Sequence, residues 1–249
     1  MKRIAAFAYG IACYVIFFGT FLYSIGFVGN FLVPKSIDSA PDGPLGPALV
    51  INALLLGAFA LQHSVMARPG FKRWWTRVIP EPVERSTYVL FSSLALIALF
   101  AFWQPIGGSI WNVRDSAGQL VLYGLCTLGW GIVLIATFLI NHFDLFGLRQ
   151  VWLYLRGKEC SAPAFVTPGL YRFVRHPIYA GFIIAFWATP TMTAAHLFFA
   201  LLTTAYILIA VRFEERDLVT AHGARYREYR DQVPMLVPRI GGRPARAGL

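Results

Sequence analysis

Polar and apolar positions along this chain fall into long blocks. Stretches without a single Lys, Arg, Asp or Glu run from Ile4 to Pro34, Gly43 to Ala67, Ser86 to Val113, Ser116 to Phe143 and Pro177 to Val211. Roughly 20 apolar residues carry a helix across a ~30 Å hydrocarbon core, so each of the first four predicts one crossing. The fifth would be about 52 Å long as one helix at ~1.5 Å per residue. Thr189-Pro190-Thr191 interrupts it, and proline lacks the N–H and clashes with the preceding turn. A hairpin is therefore predicted, with a short arm over 178–188 and a longer arm over 194–212. The expected fold is all-α: a polytopic helical membrane protein of five to six transmembrane segments, including this C-terminal hairpin.

Composition strengthens that reading. Only 14% of residues are charged and 57% are hydrophobic, whereas ordinary soluble domains carry about a quarter charged residues. Lys2-Arg3 resembles the start of a signal peptide, but the apolar stretch behind it far exceeds the ~7–15 residues of one and no small-residue cleavage site follows. The segment is expected to stay in the mature protein. Basic residues gather in the 68–85 loop, the 144–176 segment and the C-terminal tail, while the 35–42 and 111–118 loops carry little positive excess. The positive-inside rule then places both termini and the basic loops in the cytoplasm of an inner membrane protein. Six segments satisfy every loop at once. The net charge of +10 could suggest nucleic acid, but no such motif is present, and attraction to anionic membrane lipids is the simpler account. Cys13, Cys126 and Cys160 form no CxxC or disulfide framework.

No internal repeat is evident, and oligomeric state is not readable. Residues 1–116 are mainly spans and short loops, with Gln62-His63 the one polar exception, whereas 117–249 hold most of the unusual polar groups. By the topology above, these fall on one side of the membrane. Arg175-His176-Pro177 opens the fifth stretch. Pro177 at a first helical position costs nothing, since that N–H would be unbonded anyway. A snorkelling arginine at an ordinary helix start is one reading. The other is a site, because Tyr179 lies three residues from His176 and polar groups at membrane depth usually have a job. Glu214 and Glu215 point about 100° apart on a helix, so at most one should face a site while its neighbour meets Arg212, Arg216 or water. A carboxylate there can receive a ligand's ammonium or hydroxyls. In Asn141-His142-Phe143-Asp144, the histidine and aspartate suit metal binding, acid–base work or a simple helix end. His63, His142 and His176 lack the close spacing of a zinc motif, so no metal is expected. Nucleotide-binding glycine motifs are absent.

Three ordered motifs, TPGLYRFVRHPIYAGF (167–182), EERDL (214–218) and HGARYREYRDQVP (222–234), resemble the isoprenylcysteine carboxyl methyltransferase-like superfamily of membrane enzymes that use S-adenosylmethionine. NHFDLFGLRQVW (141–152), with the length, is similar to a narrower branch, the bacterial methanethiol S-methyltransferases, related to a membrane family linked to denitrification genes. One departure is His222, where many members of the superfamily have Phe. The resemblance implies transfer of a methyl group from S-adenosylmethionine to methanethiol, a small volatile thiol, giving dimethyl sulfide. It also implies that Arg175, His176 and Tyr179 belong to the cofactor pocket, with Gly169, Leu170 and Tyr171 giving backbone and ring contacts. Glu214 or Glu215 would recognise polar parts of the cofactor. Tyr226 and Tyr229 would pack the last helix as a lid. Asn141, His142 and Asp144 would line the substrate end, with His142, His176 or a tyrosine such as Tyr179 taking the thiol proton. Rival expectations are an isoprenoid or lipid acceptor, a non-catalytic haem-binding membrane factor, and a transporter.

Overall fold

The computed structural model describes residues 1–41, 43–160 and 165–239; the basic tail beyond Arg239 and Asp42 of the 35–42 loop, both used in the orientation argument, lie outside them. The elements are α1 (Lys2–Gly29), α2 (Leu45–Ala67), α3 (Pro69–Trp75), α4 (Glu81–Phe102), β1 (Ser109–Asn112), α5 (Ser116–Leu139), α6 (His142–Leu145), α7 (Leu148–Leu155), a 3-10 turn (Gly169–Arg172), α8 (Pro177–Trp187), β2 (Thr191–Thr193), α9 (Ala194–His222) and α10 (Ala224–Gln232). Among the described residues, α1, α2, α4, α5 and α9 are long and apolar enough to cross a membrane. Their outward faces remain apolar, with Val15, Leu54, Leu61, Leu120 and Ile135 all exposed. Helices apolar on every side belong in lipid, and the chain is a polytopic helical membrane protein. α8 is only about 16 Å long and is too short for a full crossing.

The chain groups into two compact units. The first comprises Met1–Ile110, Phe143–Ala162 and Thr193–His196; the second comprises Trp111–His142, Pro163–Met192 and Leu197–Leu249. In the first unit, α4 packs on both α1 and α2, and α7 packs on α1. Fully buried Asn52 of α2 closes a two-way bond with Gln104, donating to its carbonyl at 2.7 Å and accepting from its N–H at 2.8 Å. Arg85 Nε donates to the Leu145 carbonyl at 2.8 Å, which fastens the segment after α6 to the start of α4. His63 bonds to Tyr88 at 3.0 Å and to Ser92 at 3.2 Å in this unit, whereas His142 and His176 belong to the other.

The second unit is organised by the packing of α5 against α8. A Cβ on Gly129 would come within 2.7 Å of the Gly181 carbonyl, and a Cβ on Gly181 within 2.7 Å of the Gly129 carbonyl. Paired glycines let two apolar helices approach at backbone contact, where lipid supplies no hydrophobic drive of its own. Cys126 meets Ala185 and Tyr171 meets Ala136, so the two helices run antiparallel, and the residues just before α8 sit at the end of α5. Trp187 Nε1 donates to Thr204 Oγ1 at 2.9 Å, and Phe186 meets Phe199 edge-on, which joins α8 to α9 as the arms of a hairpin. The turn between them pairs with the segment before α5: the Trp111 indole donates to the Thr189 carbonyl and Val113 N–H to that of Pro190. The longer arm does not stop at Arg212. It continues as helix to His222 because no breaker intervenes before Gly223, whose φ of 58° ends it.

Candidate active site

Pro177 supplies the first turn of α8 and His176 is its cap residue, with extended-side torsions that turn the chain sharply there. Arg175 and His176 there meet the C-terminal part of α9, where Glu214 and Glu215 lie in the same unit. Arg175 Nε donates to Glu215 Oε1 at 2.7 Å, and His176 Nε2 lies 3.1 Å from the same oxygen. Tyr179, one turn further along α8, donates its hydroxyl to Glu214 Oε2 at 2.9 Å. His176 stands at the fork, its Nδ1 4.0 Å from Glu214 Oε2. The adjacent glutamates take different partners, Glu215 pairing with Arg175 and Glu214 with Tyr179. Both approach His176, because the imidazole offers two nitrogens to carboxylates that diverge around the helix. The arginine that answers Glu215 is Arg175, not Arg212 or Arg216, since it comes from the facing element.

The two glutamates differ in surroundings. The Glu215 side chain is 14% exposed and doubly bonded, while that of Glu214 is 41% exposed. Arg175 is held on two sides: besides the bond of Nε to Glu215, its Nη1 donates to the carbonyls of Arg230 and Val233. The backbone N–H groups of Arg175 and His176 donate to Pro234 and Met235 carbonyls at 2.9 and 3.1 Å. The segment after α10 is thereby strapped across the entry to α8. Tyr229 reinforces the strap by donating its hydroxyl to the Tyr171 carbonyl.

The 3-10 turn carries the remaining residues proposed for the cofactor. Gly169 has a φ of +50°, and a Cβ there would lie 2.9 Å from the Leu139 side chain, so its packing on α5 accounts for the glycine. The Leu170 carbonyl accepts from the N–H groups of Phe173 and Val174. Tyr171 donates its hydroxyl to the Ala136 carbonyl at 3.4 Å. Burial pushes its phenol well above the ordinary value, with further upward effects from Glu214 and Tyr229, which marks Tyr171 as a neighbour of Glu214. In the same unit, the buried hydroxyls of Thr167 and Tyr226 have no hydrogen-bond partner among the described residues.

His142 is buried at the foot of α5, stacked on Phe138 with ring centroids 4.2 Å apart. The Thr137 hydroxyl donates to the Leu134 carbonyl at 2.7 Å and meets His142 Nδ1 at 2.9 Å. Burial holds the imidazole below its ordinary pKa, and it is therefore neutral near pH 7. Asn141 beside it adopts φ 95°, a left-handed conformation that asparagine tolerates better than most residues. Asp144 belongs to the first unit, where it pairs with Arg149 at 2.8 Å and accepts from Gln150. The second unit thus brings together Arg175, His176, Tyr179, Glu214 and Glu215 with Tyr171 nearby, and it also holds Asn141 and His142. Thr167 was not singled out in the sequence, where an unpaired hydroxyl leaves no trace.

A family model described as phospholipid methyltransferase matches residues 121–225, a span from α5 to the start of α10. The chain is 57% identical to a methanethiol S-methyltransferase of Crocosphaera subtropica, over 97% of this chain and 94% of that protein. It is 56% identical to the methanethiol S-methyltransferase of Mycobacterium tuberculosis, over 96% and 98% respectively. More distantly, it is 28% identical to nurim of Xenopus laevis over 84% of this chain and 81% of that protein. No solved structure matches.

Proposed function

This chain belongs to the methanethiol S-methyltransferase family of methyltransferases, and from that membership we propose that it methylates methanethiol with S-adenosylmethionine as donor. When bound, S-adenosylmethionine supplies a methyl group already activated by its sulfonium, and transfer to a thiolate yields dimethyl sulfide and S-adenosylhomocysteine. The observation that carries the reading is the fork at His176: one carboxylate is locked by Arg175, and its neighbour Glu214 remains half-open beside Tyr179. The available groups fit such a donor. Glu214 suits an ammonium or ribose hydroxyls, and aromatic faces at Tyr171 and Tyr179 suit a cation.

Each residue then has a role in this reading. Glu215 positions Arg175 and His176 and holds the strap after α10. Glu214 receives the donor. His142, kept neutral by burial, takes the thiol proton, because the thiolate is the nucleophile. The tyrosines are poor bases by comparison, since burial raises Tyr171, Tyr226 and Tyr229 alike. Alignment of the reacting atoms supplies most of the remaining acceleration. The site faces the cytoplasm by the loop charges, and the small apolar thiol enters through the bilayer.

The test is headspace dimethyl sulfide from cells that express the chain and are fed methanethiol, with His176→Ala as control, beside purified protein assayed with labelled S-adenosylmethionine. Dimethyl sulfide above the empty vector, absent in the variant, is expected. Labelled lipid without dimethyl sulfide would move the acceptor to a membrane lipid and overturn the thiol assignment.

A further inference from the structure

Tyr226 and Tyr229 lie on the same helix, and both rings are almost fully buried, at 1% and 2% exposure. They pack with Val233, Phe165, Leu218 and Val219. Their hydroxyls differ. That of Tyr229 donates to the Tyr171 carbonyl, whereas that of Tyr226 is buried without a partner among the described residues. A buried donor left unpaired is costly, and native proteins leave few of them. A phenylalanine would fill the same apolar cluster at no such cost.

The position of this hydroxyl suggests what it is for. The Tyr226 ring packs against Val233, whose carbonyl accepts from Arg175 Nη1, and Glu215, Arg175 and Glu214 all act on its ionisation, so it lies beside the charged cluster. Burial also keeps the phenol protonated, which makes it a hydrogen-bond donor at any physiological pH. Neighbouring donors already serve protein groups: Arg175 Nε and Nη1 bond Glu215 and two backbone carbonyls, and Tyr179 bonds Glu214. We propose that the Tyr226 hydroxyl is a contact residue for the methyl donor, hydrogen-bonding an oxygen of its ribose or its amino-acid carboxylate. The proposal rests on the S-adenosylmethionine reading above. Since the hydroxyl is now covered, the strap after α10 must shift to admit the ligand, and the bond to Tyr226 helps to close it again.

Calorimetric titration of purified full-length protein in detergent with S-adenosylhomocysteine, on wild type and Tyr226→Phe, tests it alongside ligand-free thermal melts. Without ligand, the variant should melt at or above wild type, because an unpaired hydroxyl has been removed. It should bind about tenfold more weakly, with the KM for S-adenosylmethionine raised and kcat at saturation largely kept. Equal affinity in the two proteins overturns the proposal and leaves the donor reading intact. A variant that melts well below wild type overturns it too, by making the hydroxyl a structural bond. Wild type that binds no S-adenosylhomocysteine removes the donor reading itself and this proposal with it.

Discussion

Two buried histidines in this protein each hold a carboxylate at hydrogen-bond distance: His196 with Asp38 at 3.0 Å in the first unit, and His176 with Glu215 at 3.1 Å in the second. The first pair is closed. Asp38 Oδ2 also accepts from Asn30 at 2.6 Å, and the Thr193 hydroxyl donates to Oδ1. Asn30, held left-handed after α1, returns its own carbonyl to the Asp38 N–H, and Thr193 Oγ1 accepts from the His196 N–H in the first turn of α9. Each group completes another, which is how a loop is fastened. The second pair is open-ended. Beside it stand a carboxylate with 41% of its side chain exposed and the buried hydroxyl of Tyr226, with no partner among the described residues. A buried histidine–carboxylate pair is therefore no signature of a site on its own; the surplus of hydrogen-bonding capacity around it is.

The comparison can be broken most severely at Glu215. Glu215→Ala leaves Arg175 and His176 without their carboxylate, and breaking a buried pair from one side costs about 3–5 kcal/mol. Thermal melts should fall steeply and product formation should vanish; wild-type melting would show that the strap is held by something else. Next in size is His142→Gln, which should lower kcat about a hundredfold at unchanged KM for the donor. A base must be neutral to act, so wild-type kcat/KM should hold at pH 6.5 and decline only below it, in keeping with the depressed pKa of His142. The stability this depressed pKa contributes has the same sign, present above the ordinary histidine value and lost as pH falls. An acidic limb that stays put in the variant would assign the proton elsewhere.

Glu214→Gln comes third. Its carboxylate is half-exposed, so melting should move little while the donor KM rises about tenfold; unchanged KM would show that Glu214 does not receive the donor. The smallest effect on activity belongs to Asp38→Ala. That change orphans His196 and should cost about 1–3 kcal/mol of stability with donor KM as in wild type. A raised KM would mean that the closed pair also serves the site, and the contrast between the two would collapse.

Much of this was legible along the chain. The short arm was expected over 178–188 and is found at Pro177–Trp187, because proline marks its start and Thr189-Pro190-Thr191 its end. The five long spans follow from charge-free runs of sufficient length. Less legible were helices α6 and α7, since four or eight residues are too few to show a clear helical period, and the pairing of β1 with β2, which joins residues some 80 positions apart. The overrun of α9 to His222 was hidden because charged residues end an apolar run without ending a helix. At the site, the residue types were visible as motifs, but the partner of Glu215 was not.

What the sequence by itself determined is the membrane character, the number of long spans and the motifs that carry the candidate residues, all of which depend on local hydropathy and local backbone limits. Which carboxylate is spent on structure and which is left over was decided by the tertiary structure alone. The same holds for Asp38 with His196 and for the unpaired hydroxyl of Tyr226. Hydrogen-bond satisfaction is a property of what folds against a group, and the groups that meet here come from elements 39 to 158 residues apart.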